Sequence, residues 1–459
     1  MRKRLTQFAF AMALWSALML VAQAVLGNSD QNGPHFRDRI GGDFLAYYSA
    51  GTFLRTGRSA QLYDVPAVAA FQKSLASDVP VAQLGVAPWW NPPQFALPFA
   101  AMSGLKFHHA LYVWYAFLLA ALVLSIKVMS RVLQEPTIAF QRGLHQRDLH
   151  QRDLPQRDLA TRNFSSLALL SVLILAAPVT IQALAHGQST TISLLIVSAV
   201  VLMSLQGRAL TCGLLLSVLF YKPQLAAVLS IVVVILLGRR AVLGLLIGGL
   251  LQLTIVLLLM PGTLERFLFD MPAALSAFQT ESQYTWHRHA TTLSLFRMMF
   301  QGDQVGPNSP IVVWLSGLMS VAIGITVMMI AANRRSDRRC DRRLVLAVAI
   351  IATPLILPFY FDYDLMLLFV SGVLVASMIR DKTLATAMIP FRVMFLTAAA
   401  LYLSLQIDLA AIGLDRINIR ALLLLGLFTM LLRAVRTTPV IRSASNAVRP
   451  DCRITPAKA

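Results

Sequence analysis

Long blocks of apolar residues, with few or no charges inside them, constrain this chain more than any other feature. Each block is close to the roughly 20 residues that a helix needs to cross the hydrocarbon of a bilayer. The blocks are apolar all round, whereas a surface helix of a soluble protein has a polar face. They lie at residues 8–26, 107–126, 189–205, 241–260 and 311–332. The sequence therefore predicts an all-α polytopic membrane protein.

The charged residues agree with a membrane protein. They make up 13% of the chain, against roughly 25% in an ordinary soluble domain. The net charge of +19 is compatible with nucleic-acid binding, but the cations fall in short clusters between the apolar blocks, where the positive-inside rule places them. No basic stretch alternates with aromatic residues that could stack on bases. We therefore expect membrane lipids, and no nucleic acid, among the partners.

The basic clusters also predict the topology. Residues 2–4 are basic and place the N-terminus in the cytoplasm. Residues 8–27 are expected to form an uncleaved first helix; a cleaved signal peptide is the alternative, and either way residues 28–106 are exported. A second long external segment is expected at 261–309. Counting the blocks gives about 10–12 membrane helices, with both termini in the cytoplasm.

Two segments depart from simple membrane passes. Residues 131–163 contain a pentapeptide repeat, Leu-His-Gln-Arg-Asp twice and then Leu-Pro-Gln-Arg-Asp, over positions 144–158. This arginine-rich loop without an apolar run is predicted to be a solvated cytoplasmic linker. Residues 209–237 lie between two basic clusters and are predicted to be a short hairpin bent at Lys222-Pro223. The membrane domain is expected to span 1–435, followed by a basic cytoplasmic tail at 436–459.

Polar residues beside apolar helices are candidates for function, because burying a charge in a membrane costs several kcal/mol. Asp43 follows two glycines and precedes an aromatic stretch that includes Tyr47. It could act as a general base on a hydroxyl group or cap the helix. Lys222 lies far from both cytoplasmic clusters, where it could bind an anion or extend to the external interface.

External segments are poor in cations, so a cluster at 286–289 stands out. His287, Arg288 and His289 are expected to form an anion site, with a solvated loop as the alternative. The further polar candidates at helix turns and boundaries are Tyr63, Asp64, Asn91, Gln188 and Asp364. An external acid together with external cations favours chemistry on a lipid phosphate, because cations stabilise a phosphate leaving group.

The order of these motifs resembles glycosyltransferase family 87, whose members are polyprenyl-phosphate-mannose-dependent α-1,2-mannosyltransferases and relatives with the GT-C fold. The motifs are Gly-Asp43-Phe, Leu-Tyr-Asp64, Asn-Pro-Pro93 to Leu-Pro98, Gly187-Gln188, Lys222-Pro223-Gln224 and Tyr363-Asp364. The resemblance extends over roughly residues 5–435. Two features depart from it: the arginine-rich loop, and Trp89-Trp90-Asn91 where the pattern has a tyrosine ahead of the proline pair.

The resemblance implies roles for the candidates. Asp43 would be the catalytic base of an inverting transfer, without a metal or other cofactor. The donor phosphate would be held by Lys222, His287, Arg288 and His289. Cavity and acceptor contacts would come from Tyr47, Tyr63, Asp64, Asn91, Gln188 and Asp364. The expected partners are a polyprenyl-phosphate-linked sugar and a lipid or glycan acceptor.

The predicted function is transfer of a hexose from a polyprenyl phosphate, on the external face of the cytoplasmic (inner) membrane. Mannose is the first candidate sugar only because the studied relatives use it. The rival hypothesis is a transporter or lipid flippase without catalysis, a class that often shows paired repeats with broken helices. No such symmetry is evident in the sequence. A ligase for lipid-linked polymers is a third, chemically close alternative.

Overall fold

The computed structural model describes residues 40–135, 167–281, 284–335, 342–381, 391–404 and 416–437, with a few positions between 11 and 18. Within these ranges every regular element is a helix, which confirms the predicted all-α polytopic class. Most of the predicted first helix, the pentapeptide repeat and the tail beyond residue 437 lie outside the described residues.

The helices are numbered here in chain order. The first segment predicted to be external holds α1 (Gly42–Arg55), α2 (Val65–Ser74) and α3 (Leu97–Met102). The next elements are α4 (Phe107–Gln134), α5 (Leu167–Leu175), α6 (Pro178–His186), α7 (Thr190–Leu205), α8 (Ala209–Val218), α9 (Pro223–Leu237) and α10 (Arg239–Leu259). The second predicted external segment holds α11 (Thr263–Glu281) and α12 (Thr292–Gln301), and the chain continues with α13 (Pro310–Arg335), α14 (Arg342–Ile356), α15 (Leu368–Arg380), α16 (Phe391–Ser404) and α17 (Ile419–Thr437).

Four described helical stretches are long and apolar enough to cross a membrane. They are Phe107–Gln134, Arg239–Leu259, Pro310–Asn333 and Asp362–Arg380, the last of which includes a 3₁₀ turn before α15. Helices α5 and α6 pass the same test as a pair bent by 58°. Several other apolar helices are shorter, including α7 and the two arms of the hairpin. The predicted total of about 10–12 membrane helices stays a prediction.

The hairpin is bent at the predicted place. A 3₁₀ turn, Leu219–Tyr221, ends α8, and α9 begins at Pro223. Proline suits the first position of a helix, since that residue needs no N–H donor. Helix α8 lies directly against α10: a Cβ on Gly213 would be 2.1 Å from the carbonyl oxygen of Ala241. Small residues allow such close helix packing in membranes.

Helix ends that share a predicted side of the membrane also meet in the structure. At the predicted cytoplasmic end, Arg342 donates to the carbonyl oxygen of Ser204 at 2.8 Å, and Arg380 donates to that of Leu133. The ends of α4 and α6 that are predicted to be external lie beside α1, where Tyr48 donates to the carbonyl oxygen of Leu105 at 2.9 Å and the N–H of Gly41 to that of Ala185 at 2.8 Å. Helix α1 is buried for most of its length, and its Gly51 allows the backbone of Phe99 to approach so closely that a Cβ would lie 2.2 Å from the carbonyl oxygen. Which end faces outward stays a prediction.

Candidate active site

Two glycine contacts place Asp43 beside the turn that follows α6. Helix α1 begins after Gly41, whose φ of 78° is left-handed and whose N–H donates to the carbonyl oxygen of Ala185 at 2.8 Å. Gly187 also has a positive φ, and a Cβ there would lie 3.0 Å from Cβ of Phe44. These close approaches bring the turn over the first residues of α1. The Asp43 carboxylate, in the first turn of α1, therefore faces the 186–188 segment.

Asp43 does not serve as the cap of α1. The N-cap position is Gly41, and no side chain makes a capping hydrogen bond there. The Asp43 carboxylate instead accepts a hydrogen bond from Nε2 of Gln188 at 2.8 Å, and Nδ1 of His186 lies 3.9 Å from it. The Asp43 side chain is 34% exposed. It is thus an oriented and accessible carboxylate, which is what a general base requires.

Gln188 connects Asp43 to two tyrosines. Its Nε2 donates both to Asp43 and to the hydroxyl of Tyr363, the latter at 3.1 Å. Its Oε1 accepts a hydrogen bond from the hydroxyl of Tyr47 at 2.9 Å. Burial raises the pKa of the Tyr47 hydroxyl, so this group stays protonated and acts as a donor. Both amide hydrogens of Gln188 are used, and its orientation is therefore fixed.

Lys222 forms a buried ion pair with Asp364. Its Nζ lies 2.8 Å from Oδ1 of Asp364, which also accepts a hydrogen bond from the hydroxyl of Thr190 at 2.8 Å. Both charged side chains are buried, so Lys222 does not extend to a solvent interface. Lys222 Nζ lies 5.6 Å from the centroid of the Tyr363 ring. The lysine is thus beside the tyrosine that Gln188 links to Asp43.

Arg288 also lies beside Tyr363. Its Nε and Nη2 donate to the two carboxylate oxygens of Asp362, at 3.1 and 3.0 Å. Its Cζ is 5.9 Å from the Tyr363 ring centroid, and its side chain is 21% exposed. Burial acts to lower the pKa of Arg288, but the charge of Asp362 outweighs it and raises that pKa above its usual value. Arg288 is therefore a fixed cation with part of its surface open.

The two histidines of the predicted cation cluster have different surroundings. Nδ1 of His287 lies 2.6 Å from Oδ2 of Asp303, and the His287 side chain is mostly exposed. His289 is fully buried, and its Nδ1 accepts the N–H of Tyr360 at 3.3 Å. Burial lowers the pKa of His289 to about 3, so its imidazole is neutral at physiological pH. Of the three predicted cations, only Arg288 brings a fixed positive charge to Tyr363.

Three further candidates have local contacts of their own. Asp64 is exposed and caps α2, where it accepts the N–H of Ala67 at 3.0 Å. The hydroxyl of Tyr63 donates to the carbonyl oxygen of Asn91 at 2.8 Å. In the described ranges, no hydrogen bond joins these three to Gln188 or the residues around it. The structure therefore brings together Asp43, Tyr47, Gln188, Lys222, Arg288 and Asp364 among the predicted site residues.

In the sequence, Asp362 and Asp364 suggest a lined cavity where the chain re-enters the membrane, with an ordinary external turn as the alternative. Of these two acids only Asp364 is among the predicted site residues, and Arg420 is not among them. Asp362 is buried and accepts hydrogen bonds from Arg288. Arg420, at the start of α17, has its Nη1 3.5 Å from Oδ2 of Asp362. A local signal for Asp362 existed, because two acids in the Asp362-Tyr363-Asp364 turn lie next to apolar blocks. Arg420 has a local signal as well, because it lies at the start of the helix that leads into the predicted cytoplasmic tail, and the positive-inside rule makes arginines uncommon at that predicted external end.

Comparison with known proteins agrees with the predicted family. Residues 89–358, more than half of the chain, match the model of glycosyltransferase family 87. The matched range includes Gln188, Lys222 and Arg288, while Asp43 and Asp362 lie outside it. No curated protein matches the chain. The family match favours glycosyl transfer over the transporter hypothesis, and the chain belongs to glycosyltransferase family 87 and is a membrane glycosyltransferase.

Proposed function

We propose that the protein transfers a hexose, with mannose as the first candidate, from a polyprenyl phosphate to a hydroxyl group of a lipid or glycan. The observation that carries this proposal is the arrangement around Tyr363. Gln188 bonds both Asp43 and the Tyr363 hydroxyl, and two cations, Lys222 and Arg288, lie within 6 Å of the Tyr363 ring centroid. The accessible base Asp43, linked through Gln188, and the two cations thus all lie near Tyr363. Sugar transfer from a phosphate leaving group requires both a base and positive charges.

The proposed reaction is a single displacement. Asp43 accepts the proton of the acceptor hydroxyl while that oxygen forms a bond to the anomeric carbon of the sugar. The bond from this carbon to the phosphate oxygen breaks, and its electron pair leaves with the polyprenyl phosphate. Attack from the face opposite the leaving group inverts the anomeric configuration. Gln188 holds the carboxylate in one orientation during this step, and general-base catalysis depends on such fixed geometry.

Arg288 is the first candidate for the donor phosphate. Its bonds to Asp362 use Nε and Nη2, and Nη1 has no hydrogen-bond partner among the described residues. A guanidinium held in this way can still donate to a phosphate oxygen. Lys222 is the second candidate, since Asp364 already offsets its charge. His289 could contribute only a neutral donor, because its Nδ1 is an acceptor, and His287 is directed to Asp303.

A lipid-linked donor suits the position of this site. Its residues lie at helix ends, and the long apolar helices of the same chain expose apolar side chains, among them Leu250, Leu251 and Leu258 of α10. A polyprenyl chain can therefore stay in the bilayer while its phosphate reaches the polar cluster. Basic residues gather at the opposite helix ends, for example Arg342 and Arg380. By the positive-inside rule, the proposed active site faces outward.

The test is transfer of radiolabelled mannose from polyprenyl-phosphate-mannose to endogenous acceptors, in membranes with wild type or Asp43→Asn. Removing a general base costs about 10²- to 10⁴-fold in rate, so label should move only with the wild type. Asp270→Asn is the matched control, because Asp270 lies on the exposed face of α11 in an ion pair with Arg266. Normal turnover by Asp43→Asn would disprove the assignment of the base. Absence of transfer by the wild type would reject mannose, and donors carrying other hexoses would follow.

A further inference from the structure

The carboxylate of Asp362 is shared by two arginines. Arg288 donates to both of its oxygens, and Nη1 of Arg420 lies 3.5 Å from Oδ2. The same carboxylate accepts Nε2 of Gln182 at 3.2 Å and the backbone N–H of Tyr363 at 2.9 Å. Asp362 is 1% exposed. It therefore cannot turn away from the two guanidinium groups, and its position is set by the main chain beside it.

One carboxylate between two guanidinium groups leaves one positive charge in excess. Asp364, the next acid along the chain, is already paired with Lys222. A buried charge without a partner costs several kcal/mol, so an excess of this kind favours an anion in the site. Asp43 balances it only from a distance, because no ion pair between Asp43 and an arginine occurs in the described part of the chain.

Two buried hydrogen-bond donors without acceptors also indicate an anion site. Nε of Arg420 and Nε2 of His289 are buried and have no hydrogen-bond partner within the described ranges. The two residues are adjacent, since Arg420 donates to the carbonyl oxygen of His287 at 3.0 Å and Asn418 donates to that of His289 at 2.7 Å. Buried donors are rarely left unpaired in native proteins. A bound anion would supply the missing acceptors.

We propose that Asp362 is a positioning residue that holds Arg288 and Arg420 together as a subsite for the phosphate of the donor lipid. This inference rests on the proposed function. A free arginine side chain has many rotamers, and fixing it costs entropy; the bidentate contact with Asp362 fixes Arg288 before the donor binds. When Asp43 takes up the acceptor proton, its negative charge disappears as charge develops on the departing phosphate. The excess positive charge of Arg288 and Arg420 then stabilises the negative charge on the departing phosphate.

The same chain contains a matched control. Asp381, at the other end of the span that begins with Asp362, also receives two arginines: Nη1 of Arg343 at 2.8 Å and Nε of Arg380 at 2.7 Å. Asp381→Asn removes a carboxylate that two arginines share, as Asp362→Asn does, but at the end away from Asp43. The comparison separates positioning of a phosphate from simple stabilisation of the fold.

The experiment measures binding of a polyprenyl phosphate, and of the neutral polyprenol of equal length, to the purified full-length protein in lipid nanodiscs. Asp362→Asn should weaken binding of the polyprenyl phosphate by about 10- to 100-fold, the value of one hydrogen bond between charged groups. Binding of the polyprenol should not change. Asp381→Asn should leave both affinities at the wild-type level, even where it lowers thermal stability.

Other outcomes would overturn the inference. Unchanged or tighter phosphate binding by Asp362→Asn means that Asp362 only offsets charge, because removing it makes the subsite more positive. If Asp362→Asn does not fold, the double variant Asp362→Asn/Arg420→Gln restores the charge balance while Arg288 still lacks its anchor. Weaker phosphate binding by this variant than by Arg420→Gln alone supports positioning, and equal binding by the two contradicts it. A wild type that binds polyprenol as tightly as polyprenyl phosphate would refute the lipid-phosphate donor itself, whereas phosphate binding without mannose transfer would refute only the sugar.

Discussion

The two ends of the span Asp362–Arg380 contain similar charges in different surroundings. At each end an aspartate is shared by two arginines, Asp362 by Arg288 and Arg420, and Asp381 by Arg343 and Arg380. At the Asp381 end, Arg380 also donates to the carbonyl oxygens of Leu133 and Glu135 at the end of α4. These contacts join helix ends, which is a structural role.

The Asp362 end differs in what lies beside it. Tyr363 follows directly and accepts a hydrogen bond from Gln188, which also bonds Asp43. Arg288 is partly exposed and lies close to the Tyr363 ring. An ion pair alone is therefore poor evidence of function in this protein. The candidate site is distinguished by Arg288, which Asp362 fixes on one side while the other side is partly exposed, next to the accessible carboxylate of Asp43.

The largest expected difference between the two ends concerns stability. At the Asp362 end, Asp364 lies in the same 3₁₀ turn and pairs with Lys222. Lys222→Met should lower the free energy of unfolding by about 3–5 kcal/mol, because it leaves Asp364 buried without its cation. Arg380→Gln should cost less than about 1 kcal/mol, since the Arg380 side chain is 41% exposed and exposed pairs are screened by water. Denaturation of the two variants in detergent, against the wild type, measures both effects.

A double variant sharpens this prediction. Lys222→Met/Asp364→Asn removes both charges and should recover much of the lost stability, while transfer activity stays low because a cation beside Tyr363 is missing. Equal stability of Lys222→Met and Arg380→Gln would show that the buried pair of Lys222 and Asp364 contributes no more to folding than the partly exposed pair of Arg380 and Asp381. Full activity in the double variant would remove Lys222 from the proposed phosphate contacts.

The second expected difference concerns catalysis. Arg288→Lys keeps the positive charge but loses the planar, two-point contact with Asp362. We expect a fall in kcat/KM of about 10²-fold, the usual loss for one donor that stabilises a leaving group. Arg343→Lys is the matched control at the other end, and per molecule of folded protein its kcat/KM should match the wild type. Steady-state transfer assays with both variants in nanodiscs give the comparison, and equal losses would mean that the Asp362 end has no special part in catalysis.

Much of the fold and part of the site could be predicted from the sequence, because the signals are local. Apolar blocks predict membrane helices wherever they occur, and the bend at Lys222 is marked by the following proline. An acid beside an apolar helix indicates Asp43, and a cation cluster in a segment predicted to be external indicates Arg288. The role of Asp64 as a helix cap was also open to prediction, because Asp-Val-Pro is typical of a helix start.

The pairing of charges could not be predicted in this way. Lys222 and Asp364 are 142 residues apart in the sequence, and Arg288 and Asp362 are 74 apart. Such partners are brought together only by the packing of several helices. The charge state of His289 likewise depends on burial, which removes water from the ring, and a sequence of cationic residue types does not reveal that. Predicted cation clusters therefore overcount the charge available at a site.

The smallest expected effect concerns His289 and the acid stability of the fold. Its pKa of about 3 in the folded protein lies below the ordinary value of 6.5. The unfolded chain therefore binds one more proton than the folded protein at pH values between the two, and stability falls as the pH falls below about 6.5. From pH 7 to pH 5, protonation of this single group in the unfolded chain should lower the free energy of unfolding by about 2 kcal/mol.

This part of the change should be absent in His289→Phe. The variant has a ring that cannot be protonated, and the neighbours of that ring include Phe361 and Tyr284. Denaturation curves of both proteins at pH 7 and pH 5 measure it. A wild type and a His289→Phe variant that lose the same stability would show that His289 can be charged in the folded state, so that it could join Arg288 in holding a phosphate.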